Sequence, residues 1–149
     1  MSEFFDFLNE IKEEEKQQQM DWEMAKQSWI AELNRFMSDI EQWLKIPEQE
    51  GAVTIVRDEV KISEDHLGQY KAPCLELHVG SKKVEIKPIG RLIIGASGRV
   101  DIISFAENYI ILNDPSKGWK YRNPQEMNRY TSFNEERFAG ILKELLYEN

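Results

Sequence analysis

Cysteine is almost absent: Cys74 is the one thiol in 149 residues, so no intramolecular disulfide can form and a reducing, cytoplasmic setting is expected. Long apolar runs are lacking too, which excludes a membrane-spanning helix. The opening residues Met1-Ser2-Glu3-Phe4-Phe5-Asp6 carry acid where a secretory signal needs base, so no signal peptide is expected. Basic charge is in deficit, with 19 lysines and arginines against 27 acids and a net charge of -8. The deficit is uneven. Residues 1–50 hold 13 acids and 5 bases, whereas residues 51–149 hold 14 of each. An acidic arm repels phosphate backbones and anionic lipids, which argues against nucleic acid or a membrane as its partner and permits a basic protein. With 41% hydrophobic and 31% charged residues, the composition is that of a folded chain.

Neither glycine nor proline occurs before Pro47. That absence leaves the arm free to form a helix, and the pattern within it agrees. At 100° per residue, Trp22, Ala25, Trp29, Leu33, Phe36, Ile40, Trp43 and Leu44 fall on one stripe, with Glu23, Lys26, Glu32, Arg35 and Asp39 off it. Phe4, Phe7, Leu8 and Ile11 continue the stripe backwards, interrupted by Glu15 and Gln18 in the polar run Lys12–Gln19. One long helix over about residues 3–45 is expected, ended by Pro47, with two helices meeting at a frayed joint as the alternative.

After Pro47 the period shortens. Val53, Ile55 and Val56 open a strand that Val60 and Ile62 extend, and Ser63 to Pro73 reads as a loop. Leu75, Leu77 and Val79 alternate with polar residues, as do Val84 and Ile86, which predicts a hairpin. A two-residue Gly80-Ser81 turn sets Glu76 opposite Glu85. A four-residue loop instead sets Glu76 opposite Lys87 and His78 opposite Glu85, and because like charges repel across strands the second register is preferred. Arg91–Ile94 and Arg99–Phe105 read as a hairpin around Gly95-Ala96-Ser97-Gly98, followed by strands at Tyr109–Leu112 and Trp119–Arg122 and an irregular stretch over Asn123–Thr131. Ser132 to Glu135 fits a capping box before the stripe Phe138, Ile141, Leu142, Leu145. The fold expected is α+β: an acidic helical arm over residues 1–48, then a domain over 49–149 with an antiparallel meander of six or seven strands and a C-terminal helix on the sheet.

Chemistry-bearing residues are sparse. Glu76 on one strand and Glu85-x-Lys87 on the next resemble the acid pair and lysine at the core of the PD-(D/E)xK nucleases, which hold a divalent metal on paired carboxylates. That resemblance implies metal-dependent nuclease activity, although Pro88 and Gly90 follow where the family continues into a helix. Cys74, Glu76 and His78 share a strand face and are each possible zinc ligands. Gly95–Gly98 has strand-like residues on both sides and reads as a turn rather than a phosphate cradle. Trp119-Lys120-Tyr121-Arg122 mixes aromatic and basic residues, but alternation sends the rings to one face and the cations to the other. No catalytic residue, cofactor or metal is expected. The function expected is a non-catalytic cytoplasmic interaction protein: an adaptor, an inhibitor or immunity-type partner, or a chaperone-like module. It is expected to bind a protein or a second copy of itself, as a homodimer or higher oligomer, through Trp22, Trp29, Leu33, Phe36, Ile40 and Trp43.

Overall fold

A computed structural model describes residues 2–92, 96–122 and 129–148. Helix α1 runs unbroken over Ser2–Trp43, so the arm is one helix, about 63 Å long. Pro47 has no N–H to give the Trp43 carbonyl, and the helix breaks there into a short α2, Lys45–Gln49, which tolerates the proline in its first turn. Seven strands follow: β1 Thr54–Glu64, β2 Gly68–Val79, β3 Lys82–Gly90, β4 Arg99–Ile103, β5 Asn108–Asp114, β6 Gly118–Arg122 and β7 Tyr130–Ser132. They form one antiparallel sheet in sequence order, a meander in which every neighbour is joined by a short connection. Helix α3, Glu135–Glu148, closes the chain.

Several local expectations are corrected. The β2–β3 hairpin uses the two-residue turn, so Glu76 lies opposite Glu85 and His78 opposite Lys83. Two features offset the repulsion. Gly80 takes a left-handed φ of 61°, which the tight turn needs, and Lys83 places its amine 3.2 Å from Glu85 and 3.7 Å from Glu76. The stretch read as a loop is mostly strand: only Asp65, His66 and Leu67 turn, and Gln69–Ala72 pair with Val60–Ser63. Pro88-Ile89-Gly90 is a register irregularity at the end of β3 and not a separate bend. Arg91 and Leu92 are not strand, and Ile93, Ile94 and Gly95 of the expected hairpin lie outside the described residues, as do 123–128 of the irregular stretch. The cap of α3 is Asn134, whose side-chain oxygen accepts from the Arg137 N–H at 2.9 Å, because Ser132 is still in β7.

The helices lie on one face of the sheet. Leu75, Leu77, Val84, Ile86, Val100, Ile102, Tyr109, Ile111 and Tyr121 point from successive strands into a core shared with Trp29, Leu33, Phe36, Met37 and Ile40 of α1 and Phe138, Ile141 and Leu145 of α3. Phe133 links them through ring contacts with Phe36, Trp43, Tyr121 and Phe138. The β1–β2 hairpin has a further use. Its buried residues are Ile55, Leu75 and Leu77 near the sheet but Ile62, Tyr70 and Ala72 near its tip, which is the opposite parity. The register between them is unbroken, so the right-handed twist of the long strand pair turns its other side towards the helix. The tip thereby reaches Trp22 and Trp29 of α1.

Candidate functional site

The second half of α1 is fixed in place by this core. Trp29 is 2% exposed, and its indole N–H donates to the Tyr70 hydroxyl at 3.0 Å. Tyr70 in turn donates to the Glu64 carboxylate, which also accepts from the backbone N–H groups of Arg91 at 2.9 Å and Leu92 at 2.8 Å. One chain of hydrogen bonds therefore ties α1, β2, β1 and the segment after β3. Burial and the adjacent carboxylate push the Tyr70 hydroxyl well above the usual phenol range. Gly98 completes the Trp29 seat: a Cβ there lies 2.1 Å from the indole ring. At the outer end Trp22 stacks on His66, with centroids 4.6 Å apart and planes at 7°. At the inner end Arg57 of β1 pairs with Glu41 of α1 and Glu48 of α2.

The six residues expected to meet a partner are thereby turned inward. Trp29, Leu33, Phe36 and Ile40 are buried against the chain's own sheet, and Trp22 and Trp43 are half-buried at the two ends of the same seam. Their apolar surface is matched within the chain by the twisted hairpin and the aromatic cluster around Phe133.

The first half of α1 has no such cover. Every residue from Ser2 to Asp21 is exposed, a projecting rod about 30 Å long. On it Phe4, Phe7, Leu8 and Ile11 are 59, 54, 47 and 40% exposed and share one stripe, the direct continuation of the seam that buries Trp29. The segment from Ser2 to Asp21 carries seven acids and two lysines. Glu3, Glu10 and Glu14 line one border of the stripe, and Lys12 and Lys16 lie beyond the other. The spacing of Phe4, Phe7, Leu8 and Ile11 was visible in the sequence. What the sequence could not show is where the sheet ends beneath the helix.

The acid, lysine and zinc-ligand candidates lie on the open face of the sheet. Glu76, Glu85 and Lys87 border one shallow cavity of about 120 Å³ with Cys74. Lys83 sits between the two carboxylates, and Lys87 faces Asp101 across the next strand pair. His78 Nε2 is 3.0 Å from Glu76, while Cys74 keeps its proton, because burial and nearby Asp58 push the thiol up. Among the described residues no three of His, Cys, Asp and Glu converge as a metal site. Asp101, 3% exposed, takes a bidentate pair from Arg99 at 2.7 and 2.8 Å and a bond from Asn108 at 3.0 Å. Trp119 and Tyr121 face the core, and Lys120 and Arg122 lie on the other face against the Tyr130 ring, so the sites for stacking and for phosphate are separated. Among the described residues no helix is long and apolar enough to cross a membrane. The chain matches no protein-family model, no curated protein and no solved structure.

Proposed function

We propose that the protein is a non-catalytic interaction module of the reducing cytoplasm, and that it binds through the projecting half of α1. The observation that carries this reading is the bare stripe Phe4, Phe7, Leu8, Ile11 on a rod whose other half is locked to a folded sheet. A large apolar side chain gains about 1.5–3 kcal/mol on full burial, so four together on a pre-formed helix make a helix-in-groove ligand at low ordering cost. The occupant we assign is a protein with an apolar groove edged by lysine or arginine. The seven acids of the segment favour such a groove and oppose a second, equally acidic copy. Adaptor, inhibitor or immunity-type, and chaperone-like roles all fit this mode of binding.

The test is a double substitution, Leu8→Glu with Ile11→Glu, in the full chain. Both side chains are exposed, so the melting temperature is expected to stay within about 2 °C of the parent. Cross-links from residues 4–11 to a protein of the native host are expected to vanish in the variant, and capture by the parent is expected to fall steeply with salt. Cross-links that persist in the variant, or salt-independent capture, overturn the reading. So does a concentration-dependent dimer in light scattering that the double substitution dissociates, since the occupant is then a second copy.

A further inference from the structure

A cavity of about 500 Å³ opens between the middle of α1 and the ends of β5 and β6, a size typical of small-ligand sites. Three features give it chemistry. Trp119, half-buried, forms an apolar wall, backed by the buried Trp29 ring with centroids 6.1 Å apart. Asn113 lines the cavity and is 7% exposed. Its backbone is fully engaged, the N–H donating to the Gly98 carbonyl and the carbonyl accepting from Ser97, both at 2.9 Å, yet its side-chain amide has no hydrogen-bond partner among the described residues. A buried amide without a partner costs free energy and is rare in folded proteins, so its presence at the base of a cavity points to something that enters it. The third feature is charge. Of the charged lining residues, Glu32 and Arg35 pair with each other at 2.6 Å, and Asp114 is held by Ser116 and by Lys120 at 3.7 Å. The Arg91 guanidinium has no ion pair or hydrogen bond among the described residues; only its backbone N–H is used, by Glu64.

We infer that this cavity binds a small aromatic carboxylate. The Arg91 fork takes the carboxylate, the Trp119 wall takes the ring, and the Asn113 amide pairs with a polar ring substituent. The site is independent of the projecting stripe, and nothing in this inference rests on a protein partner.

The probes are 4-hydroxybenzoate, its neutral counterpart 4-hydroxybenzamide, and acetate, titrated into the full chain by calorimetry and tryptophan fluorescence. For 4-hydroxybenzoate we expect a dissociation constant below about 1 mM, and for each of the other two binding at least about tenfold weaker. Arg91→Gln is expected to weaken 4-hydroxybenzoate by at least about tenfold. Asn113→Leu is expected to weaken it too while leaving the melting temperature equal or higher, because it removes a buried polar group that has no partner to lose. No saturable binding of 4-hydroxybenzoate overturns the inference. Amide or acetate binding as tight as the acid overturns it, as does unchanged affinity in Arg91→Gln. A fall in melting temperature in Asn113→Leu shows the amide to be structural and also counts against the site.

Discussion

At Gly98 the chain has room for a hydrogen and nothing larger. Its φ of 141° is open to glycine and strained for other residues, and an added Cβ would stand 2.1 Å from the Trp29 ring. Gly98→Ala must therefore displace the indole that anchors α1, and with it the bond to Tyr70. A loss of about 2–5 kcal/mol is expected from overpacking and backbone strain together, read as a lower urea midpoint at unchanged slope. Tyr70 and Tyr109 make a second residue-level prediction. Each phenol is buried and donates to a carboxylate, Glu64 and Glu144 respectively, and each is held protonated beyond the usual range. The folded state then binds these protons more tightly than the unfolded chain, so stability is complete below about pH 10 and declines as pH rises through it. In Tyr70→Phe with Tyr109→Phe the neutral-pH stability is lower, through the lost bonds, but the alkaline decline is shallower. Equal alkaline slopes in parent and variant would contradict this assignment.

Among the elements, the β2–β3 hairpin depends on Lys83. With Glu76 and Glu85 directly opposed, that lysine is the counter-charge that makes the tight turn tolerable. Lys83→Ala is expected to lower stability at low ionic strength and to approach the parent at high salt, since all three groups are well exposed. The same hairpin shows what a sequence displays and what it hides. The helical stripe from Trp22 to Leu44, the alternation Leu75–Leu77–Val79 and the stripe of α3 are periodic over many residues, and each became the expected element. The register depended on one charge reaching two others, and pairwise repulsion between Glu76 and Glu85 points the wrong way when Lys83 is left out. The tip of β1–β2 escaped because Tyr70 and Ala72 are buried on the side opposite to Leu75, so twist breaks the alternation that marks a strand. Met37 completes the seam although it lies at the edge of the stripe. The cavity was not legible at all. Arg91, Asn113 and Trp29 are far apart in the chain, and no periodicity or spacing joins them.

For the molecule as a whole, the decisive fact is that one helix serves two environments. From Trp22 inward α1 is part of the core; from Asp21 outward it is solvated on every side. A compact chain of 149 residues has a radius of gyration of about 15 Å, and a rod extending about 30 Å further raises that value measurably in solution scattering. The two halves also differ in stability. A free helix of twenty residues is marginal in water, because its first turn is costly to nucleate. Here the buried half supplies the nucleus, so the projecting half needs only to propagate, through residues none of which is glycine or proline. Opening then begins at Ser2 and moves inward. Hydrogen exchange is expected to be fast over residues 2–15, to slow progressively towards Trp22, and to reach the global unfolding limit by Trp29. A partner that covers Phe4, Phe7, Leu8 and Ile11 would slow exchange over residues 2–15 and, because it binds only the folded helix, would also slow the residues beyond Trp29 by the factor through which it stabilises the folded chain. Uniform protection along α1 in the free chain would mean that the outer half is covered before any partner arrives.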